Sequence, residues 1–322
     1  MKRIIALLVV VIVVVALWSG AWLFLSGQLR HNILLLADAD GITTPRLSCE
    51  TLNIGGYPFR FDVACAKAEL TSGDVTADIA EVRASVLVYR PTHVLAGAVG
   101  PINIVDAFTG SRSAVNFSSL EASARTDGWR LARISLSGKD VVWNDTLMGE
   151  QLIAQSGLVD VQLGDIPEQH DAEKGLAALA GYFQAKDLVA PGFTIADGNA
   201  EVEVEVTSIP DDVRALGEPN ALVNWRAAGG QLKLVSVHAT DADSDLKATG
   251  NLALDPQGLL DGQIDIASTK VAERIEPYLV EPYRTLVLGN PAPDGSHSNV
   301  LNFRAGNIYS GLLPIASVPP LF

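Results

Sequence analysis

Two cysteines, a short run of alternating aspartates and five scattered histidines are the residues whose types could carry chemistry in this chain. Cys49 and Cys65 are the only cysteines. The segment between them holds Gly55-Gly56-Tyr57-Pro58, a strong turn signal. A turn centred on Tyr57 would set Cys49 opposite Cys65 in an antiparallel hairpin. Opposed residues of a non-hydrogen-bonded pair have Cα atoms about 4.5 Å apart, within disulfide range. Two buried free thiols are the alternative, whereas the spacing and the lack of nearby histidine exclude a redox CxxC or a metal pair. Asp241, Asp243 and Asp245 invite a calcium reading, but an EF-hand loop starting at Asp241 requires Gly and Glu where Leu246 and Leu252 stand. A solvated hairpin turn is the expected role of these weak candidates. His31, His93, His170, His238 and His297 show no HExxH or comparable ligand spacing, and no G-x-S-x-G, P-loop or G-x-G-x-x-G occurs. No catalytic residue, metal or cofactor is therefore expected, and the chain reads as a non-enzyme. Trp129, Trp143 and Trp225 lack a row of basic neighbours and are expected in the core rather than as a stacking platform.

The elements that would position these groups begin with a membrane anchor. Ile4 to Leu25 offers about 22 uncharged positions, roughly 33 Å of helix, enough to cross a hydrocarbon core about 30 Å thick. Lipid leaves no partner for free backbone amides, so this Val-rich run must be helical there. Trp18 and Trp22 lie i,i+4 near the outer end, where amphipathic rings settle at headgroup level. Lys2 and Arg3 precede the run and Arg30 follows it, which by the positive-inside rule puts Met1 in the cytoplasm and the bulk outside. A cleaved signal peptide with Ser19-Gly20-Ala21 as its site is the rival, but the apolar run continues through Leu25 and exceeds the usual h-region. Residues 1–26 are thus expected to anchor the chain, 27–45 to form a stalk helix and linker, and 46–322 to form one exported domain.

Removing Lys2 and Arg3 from a chain of net charge −14 leaves −16 beyond the anchor. That balance excludes nucleic acid as a partner and disfavours docking onto anionic lipid by charge. From Leu47 on, short apolar-alternating segments are punctuated by Gly, Pro, Asn and Asp. Glu201-Val-Glu-Val-Glu-Val206 puts three carboxylates on one face and three valines on the other. One wet and one apolar face is the mark of antiparallel sheets. Two helices are expected within the sheet, over 173–186 from Leu176, Leu179, Ala180 and Phe183, and over 269–279 from Val271, Ile275 and Leu279. The expected fold is mainly β: a transmembrane helix, then an elongated, curved antiparallel meander with two or three short helices.

Gly55-Gly56-Tyr57-Pro58-Phe59-Arg60-Phe61 resembles the Gram-negative envelope family named domain of unknown function 2125. So do Trp18-Ser19-Gly20-Ala21-Trp22, Tyr89-Arg90-Pro91-Thr92-His93-Val94, Gly229-Gly230-Gln231-Leu232-Lys233-Leu234, Thr249-Gly250-Asn251-Leu252-Ala253-Leu254-Asp255 and Leu301-Asn302-Phe303-Arg304-Ala305-Gly306. Tyr309-Ser310-Gly311-Leu312 departs from the tighter Leu-Gly-Pro turn of that resemblance. The family has no established activity, so the resemblance carries over no catalytic residue. A looser similarity, in the GG-x-L-x-L and G-x-L-x-L-D segments, is to AsmA-like envelope proteins, which hold lipid chains in an apolar β-groove. Together these imply a single-pass protein of the bacterial inner membrane with its bulk in the periplasm. Its expected partners are the bilayer and a lipid or envelope protein held in an apolar groove. The alternatives are a purely structural or interaction module whose apolar face is closed by the two helices, and a hydrolase using His238, Asp241 or Asp243.

Overall fold

A computed structural model describes residues 2–322; Met1, assigned above to the cytoplasm, lies outside the described residues. The chain is mainly β, a sixteen-stranded antiparallel sheet with four helices. Its first element, α1 (Lys2–Ala37), runs without a break through the regions expected as anchor and stalk, so the two form one helix. Ile4, Trp18, Trp22 and Leu25 all lie on α1, which is long and apolar enough to cross a membrane. Its 36 residues give roughly 54 Å, so about 24 Å would stand clear of a bilayer core.

Two compact units divide the chain where the sequence suggests one domain: residues 1–123 with 144–151, and residues 124–143 with 152–322. In the first unit, β1 (Arg46–Gly55), β2 (Arg60–Ser72), β3 (Val75–Leu87), β4 (Arg90–Asp106) and β5 (Arg112–Asn116) pair in chain order. The chain passes between the units along β6 (Ser119–Asp127), β7 (Arg130–Asp145) and the start of β8 (Gln151–Asp165). The second unit continues with β9 (Leu176–Ala190), β10 (Ile195–Pro210), α2 (Ala221–Ala227), β11 (Leu232–Thr240), β12 (Asp245–Leu254) and β13 (Leu260–Thr269). It ends with α3 (Ala272–Ile275), α4 (Tyr283–Leu288), β14 (Ser296–Arg304), β15 (Asn307–Ser310) and β16 (Leu313–Ser317). Here too strands β8 to β16 pair in chain order, a plain meander. The departing motif at Tyr309–Leu312 makes a two-residue turn after all, with Ser310 paired to Leu313.

The helix expected over 173–186 is strand β9, a correction with a clear cause. In β9 the side chains of Leu179, Phe183 and Ala185 fall on the face shared with Val206, Val202 and Ala200 of β10. Two neighbouring strands reward that alternation more than a lone helix could. The helix expected over 269–279 shrinks to the four residues of α3. Pro277 and Pro282 end the pattern, and α4 restarts after them.

Register lines up the apolar residues of successive strands. Val161, Phe183, Val202, Val237, Ala248 and Ile266 form one row across β8 to β13. Leu163, Gly181, Val204, Leu234, Gly250, Ile264 and Leu301 form the next, extending to β14. A one-residue skip in β11 keeps this alignment: Glu203 faces Ser236 while Val204 faces Leu234. Helix α2 and the C-terminal Leu321 cover one end of this face, and α3 covers the other. Among the described residues no large side chain is fully buried, and the rows stay mostly half-exposed.

Candidate functional site

The motif residues of the sequence converge in the first unit, where α1 meets the β1–β2 hairpin. Trp18 Nε1 donates to the Pro58 carbonyl at 3.0 Å, and Trp22 Nε1 donates to the Arg60 carbonyl at 3.1 Å. Ser19 Oγ lies 2.8 Å from the Tyr57 hydroxyl. Trp22 stacks on Phe61 at 5.5 Å and meets Tyr57 edge-on at 5.6 Å. Further along α1, Arg30 Nη2 donates to the Leu52 carbonyl at 2.7 Å on β1, the edge strand of this unit. Trp18, Trp22, Leu29 and Ile33 recur at helical spacing and form the stripe that faces the sheet. At Gly56, with φ +94°, a Cβ would sit 2.7 Å from the Arg60 carbonyl oxygen, so this turn requires glycine. Thus Gly55-Gly56-Tyr57-Pro58 and Trp18-Ser19-Gly20-Ala21-Trp22, separate in sequence, form one joint.

Cys49 and Cys65 form a disulfide, with Cα atoms 5.3 Å apart. They are not opposed, however, and the hairpin is not centred on Tyr57. Cys49 pairs with Ala68 and Cys65 with Leu52. The register is set at the turn, where Gly55 pairs with Asp62, and is the same on either side of Lys67, which adopts φ +47° and turns outward so that its Nζ reaches Glu50 at 2.7 Å. That kink puts positions three apart on the same side, so Leu52, Cys65 and Ala68 are all buried and Cys49 approaches Cys65 diagonally.

Between α1 and the strands lies an apolar cleft of about 310 Å³, lined by Leu29 and Ile33 of α1, Phe61, Val63 and Cys65 of β2, and Val82, Ala84 and Val86 of β3. In the second unit, Leu222 and Trp225 of α2 roof a cavity of about 380 Å³ over Val206, Leu232, Leu252 and Leu254. Trp225 is held there by its Nε1, which donates to the Thr207 carbonyl at 2.8 Å. Trp129 and Trp143, expected in the core, are instead exposed at 60% and 44%. Arg214 lies over the Trp129 ring at 4.3 Å, which gives that ring a surface role as a cation platform.

The aspartate run sits in the β11–β12 turn, and its carboxylates are matched by basic side chains of the same chain, Lys247 among them at 3.3 Å from Asp245. Asp241 contacts Arg274 Nη2 at 2.6 Å, Asp243 contacts Arg274 at 2.8 Å and Lys270 at 3.0 Å, and Asp245 contacts His238 Nε2 at 2.9 Å. Burial raises the Asp241 carboxyl, but hydrogen bonds from Ser244 and the backbone, with Arg274 beside it, hold it below the ordinary range on balance. His238 lowers Asp245, and Lys270 lowers Asp243. The remaining histidines are dispersed: His93 bonds Ser123 at 3.0 Å, and His170 stands between Arg130 and Asp211 at 2.9 and 3.2 Å. Among the described residues no group of three or more His, Cys, Asp or Glu could hold a metal ion.

No curated protein and no solved structure matches the chain, so the looser similarity to AsmA-like proteins gains no support. Residues 22–319, from the Trp22 of the joint to the penultimate proline region, match the family described as an uncharacterized protein conserved in bacteria (DUF2125), and the chain belongs to that family.

Proposed function

We propose that this is a non-catalytic, single-pass protein of the bacterial inner membrane whose periplasmic sheet shelters the hydrocarbon chain of a lipid. The observation that carries the reading is the register of the apolar rows combined with their exposure. Strand after strand aligns Val, Leu and Ile on one face, yet the covering helices reach only its two ends. An apolar sheet face needs a covering layer, and a large exposed apolar patch marks an interaction site. A hydrocarbon chain fits because the rows offer almost no polar partner. The outward face is acidic: Glu201 and Glu203, after burial, raise the Tyr182 phenol. That charge repels anionic headgroups and leaves the tail as the part recognised.

Retention of α1 as an anchor, rather than removal as a signal sequence, is supported by the joint. Cleavage after Ala21 would take away Trp18 and Ser19 and leave the Pro58 carbonyl and Tyr57 hydroxyl without these partners. Export is supported by the disulfide, since such bonds persist in oxidising compartments. The test is mass spectrometry of lipids that co-purify with the full chain in mild detergent, against an unrelated single-pass protein. We expect enrichment of acyl-chain lipids, lost in Val204→Asp. Equal lipid content in all three samples would overturn the reading and favour a structural or interaction module.

A further inference from the structure

We propose that the β1–β2 and β3–β4 hairpin tips form a membrane-inserting rim that seats the first unit on the outer surface of the membrane, so that its apolar cleft stands directly above the acyl chains. The inference rests on the reading of α1 as a span and goes beyond it to how the sheet meets the lipid.

Depth follows from the joint. Measured from Ile4, Trp18 and Trp22 stand roughly 21 and 27 Å along a helix whose bilayer core is about 30 Å thick. Both lie inside the uncharged run, and each donates a hydrogen bond to the β1–β2 tip. A spanning α1 therefore holds Tyr57, Pro58 and Phe59 at the level of the outer acyl chains and headgroups. The tips suit that level. Tyr57 and Phe59 are exposed at 52% and 61%, although a tip in water would favour polar residues. The β3–β4 tip joins them, since Val88 N donates to the Phe59 carbonyl at 2.9 Å, and its Tyr89 is 68% exposed. In a chain with 37 acidic residues, neither Gly55–Arg60 nor Val88–Pro91 contains one. Each tip carries one arginine beside its aromatic residues: Arg90, and Arg60, whose Nε also pairs with Asp62 at 2.7 Å. Aromatic rings with flanking cations are the composition of a membrane interface, where the rings sit at headgroup level and the cations meet phosphate. The cleft begins directly behind the rim, at Phe61 and Val86. Its other wall is Leu29 and Ile33, roughly 38 and 44 Å from Ile4 along the same helix, so the cleft rises from the outer edge of the bilayer core and a chain can pass up into it along α1.

The test places a nitroxide at Phe59→Cys, Tyr89→Cys, Val13→Cys and Phe108→Cys in turn, in the full chain. The protein is reconstituted in phosphatidylethanolamine–phosphatidylglycerol nanodiscs, with the native disulfide verified by non-reducing peptide mapping. Collision with oxygen and with a water-soluble nickel chelate then reports depth. We expect labels at 59 and 89 to resemble Val13, with nickel access several-fold below that of Phe108, an 85% exposed loop residue of the same unit. Nickel access at 59 and 89 equal to that at 108, with 13 shielded, would overturn the rim and leave the anchor standing. Access at 13 as well would overturn the span and the rim with it. The unmodified chain gives a second readout through a lipid with a diazirine at its chain end. Adducts are expected on Tyr57–Phe59 and Tyr89, and adducts confined to α1 would overturn the rim.

Discussion

Trp22 does more than any other side chain to join helix and sheet. It is 8% exposed and combines a hydrogen bond with two ring contacts. Trp22→Ala should lower stability by about 3 kcal/mol, as large core truncations do, seen as a lower thermal midpoint in detergent and faster trypsin cleavage at Arg60. The disulfide closes a separation of 16 residues, so Cys49→Ser with Cys65→Ser should cost about 3 kcal/mol through loop entropy of the unfolded chain; denaturant unfolding of the oxidised and variant proteins would check this. Asp40 fastens the loop that follows α1. Its carboxylate accepts from the Thr43 hydroxyl at 2.6 Å and from the Thr44, Ile42 and Thr43 amides at 3.0, 2.9 and 3.0 Å, which lowers it from 3.8 to about 2. A depressed folded value means the contribution is present above the ordinary value and lost as pH falls through about 2. Thermal midpoints from pH 5 down to about 2 should therefore fall less steeply for Asp40→Asn than for the native chain.

At the scale of elements, the β9 error is instructive because its sequence supports two readings. Leu176, Leu179, Ala180 and Phe183 fit a helical face, and nothing local opposes it. The decision comes from β8 and β10, which offer ladders on both sides, and from Gly181, where a Cβ would meet Val204 Cγ2 at 2.8 Å. Tertiary partners override local period in such segments. Glu201–Val206 shows the opposite case: strict alternation admits only a strand, and β10 is one. Glycine controls the pairing of β12 with β13 as well. Gly262 has φ +141°, and a Cβ there would stand 2.0 Å from the Asn251 carbonyl oxygen. Gly262→Ala should destabilise by more than about 1 kcal/mol, with loss of hydrogen-exchange protection concentrated in β12 and β13.

For the whole molecule, the arrangement that matters is an apolar face assembled from many strands and covered only at its ends. No single strand advertises this, since each reads as an ordinary half-buried segment. On the proposed lipid-binding reading, charge placed mid-row should act on ligand before it acts on fold. Val204→Asp is expected to strip bound lipid while far-ultraviolet circular dichroism keeps its β signature, because the side chain is already half-exposed. A loss of both together would mean the row is core rather than binding surface.

The sequence by itself determined the long apolar helix, the mainly antiparallel β class, the pairing of the two cysteines and the family. These rest on local quantities: an uninterrupted hydropathic run, period-two alternation, the count of thiols and short glycine motifs. Tertiary structure alone decided the rest. It set the hairpin register at the turn, with Gly55 opposite Asp62, and the outward turn of Lys67 then brings Cys49 to Cys65 on a diagonal that residue counting does not show. It turned an expected helix into β9 through the ladders on either side. And it bound Trp18 and Trp22 to Pro58 and Arg60, about 40 residues away in the chain, which makes α1 one wall of a cleft.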